Sequence, residues 1–159
     1  PESHKKAEAE WAIEQGAEEL DVVPNFLALK EGVPDLYASE LANICDKGIP
    51  VRVILDMANL PKESLSLAID AALDAGVHSV QTNNGFGRGI TPFDVSQLSN
   101  LTRGRCEIKA TGGIKTVKQA LELIEAGASK LGTTQGPQLI ESILASGKGT
   151  PISAYKVSL

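Results

Sequence analysis

Short apolar runs alternate along this chain with longer stretches in which apolar side chains recur every three or four positions. The short runs are rich in β-branched residues and predict buried strands, whereas the longer stretches predict helices with one apolar face. Strands are predicted at residues 19–23, 51–56, 79–82, 107–111 and 130–134. Helices are predicted at residues 4–15, 35–47, 65–73, 91–104, 116–127 and 139–144. Helix and strand therefore alternate from one end of the chain to the other.

Glycines mark the ends of the predicted helices, where a left-handed residue is commonly needed. They recur at intervals of 32, 28, 28 and 23 residues, and each is followed within a few positions by a predicted strand: Gly16, Gly48, Gly76, Gly104 and Gly127. A repeated unit of strand and helix requires a parallel sheet with helices packed outside it. The predicted fold class is therefore α/β.

The chain is short for a closed barrel of this kind. It has 159 residues, whereas a (β/α)8 barrel typically needs about 250. We expect a partial barrel of about five βα units over residues 1–147, and a flexible tail rich in Gly, Ser, Pro and Lys over residues 148–159. An open arc of strands has two unpaired edges. Either the missing strands lie outside these residues, or a partner covers the open side.

Charge and composition exclude several functions. A net charge of −5 provides no basic surface for nucleic acid or an anionic membrane. No apolar run approaches the roughly 20 residues that cross a bilayer, so we expect a soluble protein of the cytoplasm or an organelle interior. His4 and His78 are isolated, and Cys45 and Cys106 belong to no CxxC spacing. We therefore expect no metal and no cofactor.

Four predicted strands each carry a polar residue where apolar residues are expected: Asp21, Arg52, Gln81 and Lys109. Strands of a parallel sheet are covered on both faces, and matching positions near their carboxyl ends converge on one pocket. One interpretation is an ion-pair network with Gln81 hydrogen-bonded within it. The other is a pocket for a polar substrate, with Asp21 as acid or base and Lys109 as a reactive amine. Arg52 disfavours a charged Lys109 and Asp21 favours it, so the sequence leaves that charge open.

Two loops with glycines and hydroxyls follow the last two predicted strands. They are Thr111-Gly112-Gly113 and Gly132-Thr133-Thr134, and each leads into a predicted helix. Backbone N–H groups at such loops and helix starts bind phosphate in many parallel α/β proteins. The pair predicts an anion site, with ordinary turns as the alternative.

Five segments together are similar to one enzyme family. They are AIEQGAEELDVV, VRVILDMANL, DAGVHSVQTNNGFGRGITP, IKATGGIKT and ALELIEAGASKLGTTQG. In order, spacing and loop chemistry the chain resembles the C-terminal two-thirds of deoxyribose-phosphate aldolase, a class I aldolase. The resemblance implies a (β/α)8 TIM barrel of aldolase type. It also implies reversible cleavage of 2-deoxyribose 5-phosphate to glyceraldehyde 3-phosphate and acetaldehyde.

The resemblance also implies roles for the polar strand residues. In the family a lysine on the sixth strand forms a Schiff base, and a second lysine and an acid tune it and relay protons. Carried over, the acid is Asp21, the second lysine is Lys109, and the Schiff-base position is Gln81. A carboxamide nitrogen cannot form an imine. Arg52 stands where a lysine is usual on the fifth strand, and it keeps the charge but is not a nucleophilic amine.

The phosphate side of the resemblance is better preserved. The matching positions are Gly85, Gly112, Gly113, Gly132 and Thr134. Gln135 stands where a serine is usual. We therefore expect a phosphosugar or another phosphate-bearing small molecule as ligand.

Three hypotheses remain open from the sequence. The first is a homologue without Schiff-base activity that serves as a structural or interaction subunit or as a phosphometabolite binder. The second is an active aldolase that uses Lys109 as the amine. The third is an engineered or erroneous Gln81 in an ordinary aldolase. An incomplete barrel also favours a protein partner or a homo-oligomer.

Overall fold

A computed structural model describes residues 2–145 and 156–158 of the chain. Six strands form one sheet in which every neighbouring pair is parallel and the spatial order follows the chain order. They are β1 (Leu20–Val22), β2 (Val51–Ile54), β3 (Ser79–Gln81), β4 (Glu107–Thr111), β5 (Lys130–Gly132) and β6 (Lys156–Ser158). This order is the one that builds a (β/α) barrel. Within the described residues β1 and β6 do not pair with each other, so the sheet is an open arc.

Helices connect successive strands. They are α1 (Glu2–Glu14), α2 (Phe26–Lys30), α3 (Pro34–Cys45), α4 (Lys62–Asp74), α5 (Pro92–Thr102), α6 (Val117–Glu125) and α7 (Gly136–Ala145). The helices predicted to begin at residues 91 and 116 do begin there, each with a threonine as its N-cap. Thr91 caps α5 in a reciprocal box with Asp94, and Thr116 caps α6 in the same way with Gln119. No described helix has the length and apolar character of a membrane span.

The core lies between the outer face of the sheet and the helices. Val53, Val80 and Ile108 lie side by side on three adjacent strands and are at most 3% exposed. Leu41, Ile69 and Leu98 supply fully buried side chains from α3, α4 and α5. Because side chains alternate between the faces of a strand, this packing leaves the intervening strand positions facing the inside of the arc, which we call the lumen.

Two elements of the fold were not predicted from the sequence. α2 is a single five-residue helix in the connection after β1, where Asn25 accepts a hydrogen bond from the Ala28 amide. β6 extends the sheet by three residues and lies within the region that we assigned to the C-terminal tail. Of the other tail positions, residues 148–155 and 159 lie outside the described residues.

Candidate functional site

The register of the sheet arranges the lumen positions in layers. Asp21, Arg52, Ser79 and Glu107 are register partners in one layer. Ile54, Gln81, Lys109 and Lys130 are partners in the next layer toward the carboxyl ends of the strands. The four polar residues singled out in the sequence therefore face the same lumen, with Asp21 beside Arg52 and Gln81 beside Lys109.

Arg52 connects the first strands of the lumen through its guanidinium group. Its Nη1 donates to Asp21 Oδ1 at 2.7 Å, and its Nη2 contacts Glu19 Oε2 at 2.5 Å. The Arg52 side chain is 5% exposed, so these charges interact through protein more than through water. Glu19 was not predicted as a site residue. The sequence did contain a signal for it, because Glu19 lies two residues before Asp21 and residues two apart lie on the same face of an extended chain.

Lys109 lies outside this ion-pair cluster. Its Nζ has no hydrogen-bond or ion-pair partner among the residues that the structure describes. Burial lowers the pKa of the Lys109 amine below its ordinary value, and Arg52 lowers it further, against opposing effects of Asp21 and Glu19. The charge that the sequence left open is thus shifted toward the neutral amine, which is the nucleophilic form.

Gln81 is 8% exposed, and its carboxamide is fixed from one side. Gln81 Nε2 donates to the Asn83 carbonyl at 2.8 Å, and the Thr111 hydroxyl donates to the same carbonyl at 2.7 Å. Of the two interpretations that the sequence left open, the ion-pair network applies only to Arg52 and Asp21, which pair with each other. Gln81 binds the backbone carbonyl of Asn83 instead. Lys109 forms no ion pair with Asp21 and no hydrogen bond with Gln81.

Glu107 and Lys130 form a second pair in the lumen. Lys130 Nζ lies 2.7 Å from Glu107 Oε2, and the Lys130 side chain is 15% exposed. The sequence analysis placed both residues in strands but gave them no role. Glu107 could have been identified because side chains alternate along a strand and it lies two residues before Lys109. Lys130 could have been identified because it is the register partner of Lys109 on the next parallel strand.

The loop after β4 holds the first predicted phosphate glycines. Gly112 and Gly113 have φ angles of 118° and 72°, which side-chain-bearing residues rarely adopt. Gly112 also lies against the loop after β3, because its carbonyl accepts from the Ile90 amide at 3.0 Å. Gly85, in that neighbouring loop, is exposed and has a φ of 95°.

The second glycine loop lies against the first. The Thr133 hydroxyl donates to the Ile114 carbonyl at 2.7 Å, so it is not a free donor. Gln119 Oε1 accepts from the amides of Lys115 and Thr116, so the start of α6 is largely satisfied by its own capping box. The exposed Thr134 and the glycine turn remain as candidate anion contacts at this carboxyl edge of the sheet.

The cysteines and histidines do not assemble a reactive centre. Burial raises the pKa of both thiols, that of Cys106 to about 11, and a raised pKa keeps a thiol protonated and unreactive. His78 lies 3.7 Å from Glu107 at the amino end of the sheet. The described residues contain no group of three or more His, Cys, Asp or Glu side chains that could hold a metal ion.

Known proteins resemble this chain in sequence and in fold. No protein-family model matches the chain. The deoxyribose-phosphate aldolase of Thermosynechococcus vestitus is 46% identical over 140 residues, which cover 87% of this chain and 64% of the relative. The chain thus spans less than two thirds of that relative's length.

Two solved aldolases have the same fold over most of the chain. The aldolase QR15 superposes with a TM-score of 0.85 at 34% identity, covering 91% of this chain and 67% of its own. The deoxyribose phosphate aldolase from Aeropyrum pernix, described as tetrameric, superposes with a TM-score of 0.80 at 33% identity, covering 92% and 63%. The open arc of strands is therefore part of a TIM-barrel fold.

Proposed function

We propose, from the premise that this chain belongs to the deoxyribose-phosphate aldolase family, that it binds a phosphate-bearing sugar or aldehyde without the family's Schiff-base reaction on β3. The observation that carries this proposal is Gln81. Its carboxamide occupies the lumen beside Lys109, and its nitrogen is hydrogen-bonded to the Asn83 carbonyl. The lone pair of an amide nitrogen is delocalised into its carbonyl, so Gln81 offers no nucleophile for an aldehyde.

The carboxyl edge of the sheet supports the binding half of the proposal. Two glycine-rich loops meet there through the hydrogen bond from Thr133 to Ile114. The nine-residue α6 and the ten-residue α7 both begin at this edge, so the positive ends of two helix dipoles face the same region. An anionic phosphate would be held by the Gly112–Gly113 turn and the Thr134 hydroxyl, with the sugar directed toward Lys109 and Gln81.

Binding and catalysis are tested separately with the purified protein. Calorimetry should show binding of 2-deoxyribose 5-phosphate and none of 2-deoxyribose at the same concentration, because the phosphate supplies the contact. Thr134→Val should weaken that binding by roughly ten- to a hundredfold, equivalent to one hydrogen bond to a charged group. Ser142→Ala on the exposed side of α7 serves as the matched hydroxyl deletion and should leave binding unchanged.

The catalytic half is tested by an aldolase assay on 2-deoxyribose 5-phosphate. The protein should show no cleavage, and Gln81→Lys should introduce it, because the substitution places an amine beside Lys109. Cleavage by the unaltered protein that survives Lys109→Met would contradict both this proposal and the alternative below. Equal affinity for 2-deoxyribose and 2-deoxyribose 5-phosphate would contradict the proposed phosphate site.

A second candidate function follows from Lys109 itself. Its amine faces the lumen, lacks a pairing partner among the described residues, and has a pKa below the ordinary value. A neutral Lys109 amine adds to the carbonyl carbon of an aldehyde to form a carbinolamine, whose hydroxyl takes up a proton from solvent and leaves as water, so that an iminium ion forms. Asp21, which pairs with Arg52 in the adjacent layer, would then serve as a proton acceptor. This candidate is an aldolase that uses Lys109 in place of the missing amine at position 81.

Trapping distinguishes the two candidates. The protein is incubated with acetaldehyde and borohydride, and peptides are analysed for an added ethyl group. Selective modification of Lys109, lost in Lys109→Arg and retained in Lys115→Arg, would establish the second candidate. Lys115 is exposed and lies at the same edge of the sheet, so it is the appropriate control. Modification spread evenly over surface lysines would exclude it.

We also propose that the open side of the arc is covered by a protein partner or a second copy of the chain. β1 pairs only with β2 within the described residues, and Val23 just after it is 54% exposed. Unpaired strand edges and exposed apolar side chains are features of association surfaces. Light scattering with native mass measurement should show an assembly larger than the 16.7 kDa chain. A monomer at every concentration would exclude a second copy of the chain and leave a different protein as the partner.

A further inference from the structure

Gly132 lies at the end of β5, where neighbouring atoms leave no room for a side chain. Its backbone conformation does not require glycine. It is not among the glycines with positive φ. A Cβ at this position would lie 2.5 Å from Thr111 Cγ2 and 3.2 Å from Lys109 Cε. The first distance is shorter than any tolerated contact between carbon atoms. A side chain at position 132 would therefore have to move Thr111, Lys109 or the strand itself.

Thr111 cannot yield cheaply, because its hydroxyl is held at several points. Thr111 Oγ1 donates to the Asn83 carbonyl at 2.7 Å and accepts from the Asn83 amide at 3.3 Å. The residue is 9% exposed, and its branched Cβ restricts rotation about χ1. Rotation of the methyl away from position 132 would break the hydrogen bond to Asn83.

That hydrogen bond also reaches the Schiff-base position. The Asn83 carbonyl accepts from both Thr111 Oγ1 and Gln81 Nε2, at 2.7 and 2.8 Å. Three contacts in sequence thus join Gly132 to Thr111, Thr111 to Asn83, and Asn83 to Gln81. The same missing side chain leaves room for the end of Lys109, the register partner of Gln81.

We propose that Gly132 is a positioning residue for the lumen. Because it has no side chain, Lys109 and Thr111 can occupy the places seen here, and Thr111 in turn positions the group at position 81. This inference rests on the proposed function only in taking the lumen as the reaction or binding site. It assigns Gly132 a role that is distinct from contact with phosphate. The steric origin of that role makes it testable by a compensating substitution.

The test compares Gly132→Ala, Thr111→Ser and the double variant by competitive acetylation of lysines at increasing pH, quantified for Lys109 against Lys115. In the unaltered protein the Lys109 midpoint should lie below the ordinary lysine value. Gly132→Ala should move it measurably toward the ordinary lysine value, since displacement from the buried site relieves the desolvation. The double variant should regain the original midpoint, because serine lacks the methyl that collides with the alanine. Gly89→Ala is the matched control, because its Cβ would meet only an ordinary contact at 3.4 Å.

An unchanged Lys109 midpoint in folded Gly132→Ala would overturn the inference, and so would a shift that persists in the double variant. If Gly132→Ala does not fold, the double variant is decisive alone: the original midpoint supports the steric coupling, and an altered one contradicts it. Inorganic phosphate binding is measured on the same samples. If neither the unaltered protein nor any variant binds inorganic phosphate, the proposed ligand site is refuted, and the acetylation result remains valid.

Discussion

Lys109 carries a cost to stability that its neighbours do not offset. Because its folded pKa is lowered, the unfolded chain binds more protons in the window below the ordinary lysine pKa. Stability therefore rises as pH rises through that window. Lys109→Met should raise the free energy of unfolding at pH 7 by on the order of 0.5 kcal/mol, allowing for solvent screening. The gain should shrink as pH approaches 10. Urea unfolding at both pH values measures it, with the exposed Lys115→Met as control, and a destabilised Lys109→Met protein would contradict it.

At the same scale, the sequence predicted which residues face the lumen better than it predicted their contacts. Asp21, Arg52, Gln81 and Lys109 were found because polar residues in doubly covered strands are rare. The pair of Arg52 with Asp21 followed from charge alone. The partner of Gln81 could not be predicted in this way. It is the backbone carbonyl of Asn83, and every residue has a backbone carbonyl, so the residue types do not indicate which one accepts.

Helix ends show how a single position controls the packing of whole elements. Gly127 follows α6 with a φ of 117°, and a Cβ there would lie 2.7 Å from Ser99 Oγ on α5. Gly16 has a φ of 92° after α1 but open space around it. Gly16→Ala should cost about 1 kcal/mol from backbone strain alone, and Gly127→Ala about 1 to 2 kcal/mol more from the collision. Thermal and urea unfolding give both values, and equal losses would exclude the steric contribution.

The start of α5 is stabilised by an ionised carboxylate. Asp94 accepts from Arg88 at 2.6 and 2.7 Å and from the Thr91 amide and hydroxyl, and these contacts lower its pKa to about 2. The stabilisation is complete above the ordinary aspartate pKa and is lost as pH falls through about 2. Asp94→Asn should cost about 1 to 2 kcal/mol at pH 7 and roughly half of that at pH 3. Glu122→Gln, which removes a half-exposed charge paired with the exposed Lys118 on α6, should cost almost nothing at either pH.

Among the elements, local chemistry explains what the sequence could predict. The caps at Thr91 and Thr116 depend on residues three positions apart, so they are visible in the sequence. α2 has only five residues and lies between Pro24 and Pro34, so it is too short to show a helical period of apolar residues. β6 is three residues long and is identified by its pairing with β5, which is a tertiary contact.

For the whole molecule, the open arc predicts unequal protection of the strands. β2, β3 and β4 have a neighbour on each side, and they contain the fully buried residues Val53, Val80 and Ala110. β1 has one neighbour, and Asp21 at its centre is exposed. Hydrogen exchange of the unassociated chain, followed by mass spectrometry, should therefore show the slowest amides in β2–β4 and exchange at least tenfold faster in β1, since edge strands open locally.

The same exchange measurement bears on association. A partner that adds a strand to the free edge of β1 would bring its protection close to that of β3, because both sides of β1 would then be hydrogen-bonded. Exchange is measured at several protein concentrations together with native mass. Protection of β1 that increases with assembly supports a partner on the open side of the arc. Protection as strong as that of β3 in a sample shown to be monomeric would mean that the chain itself closes this edge, and the partner proposal would be wrong.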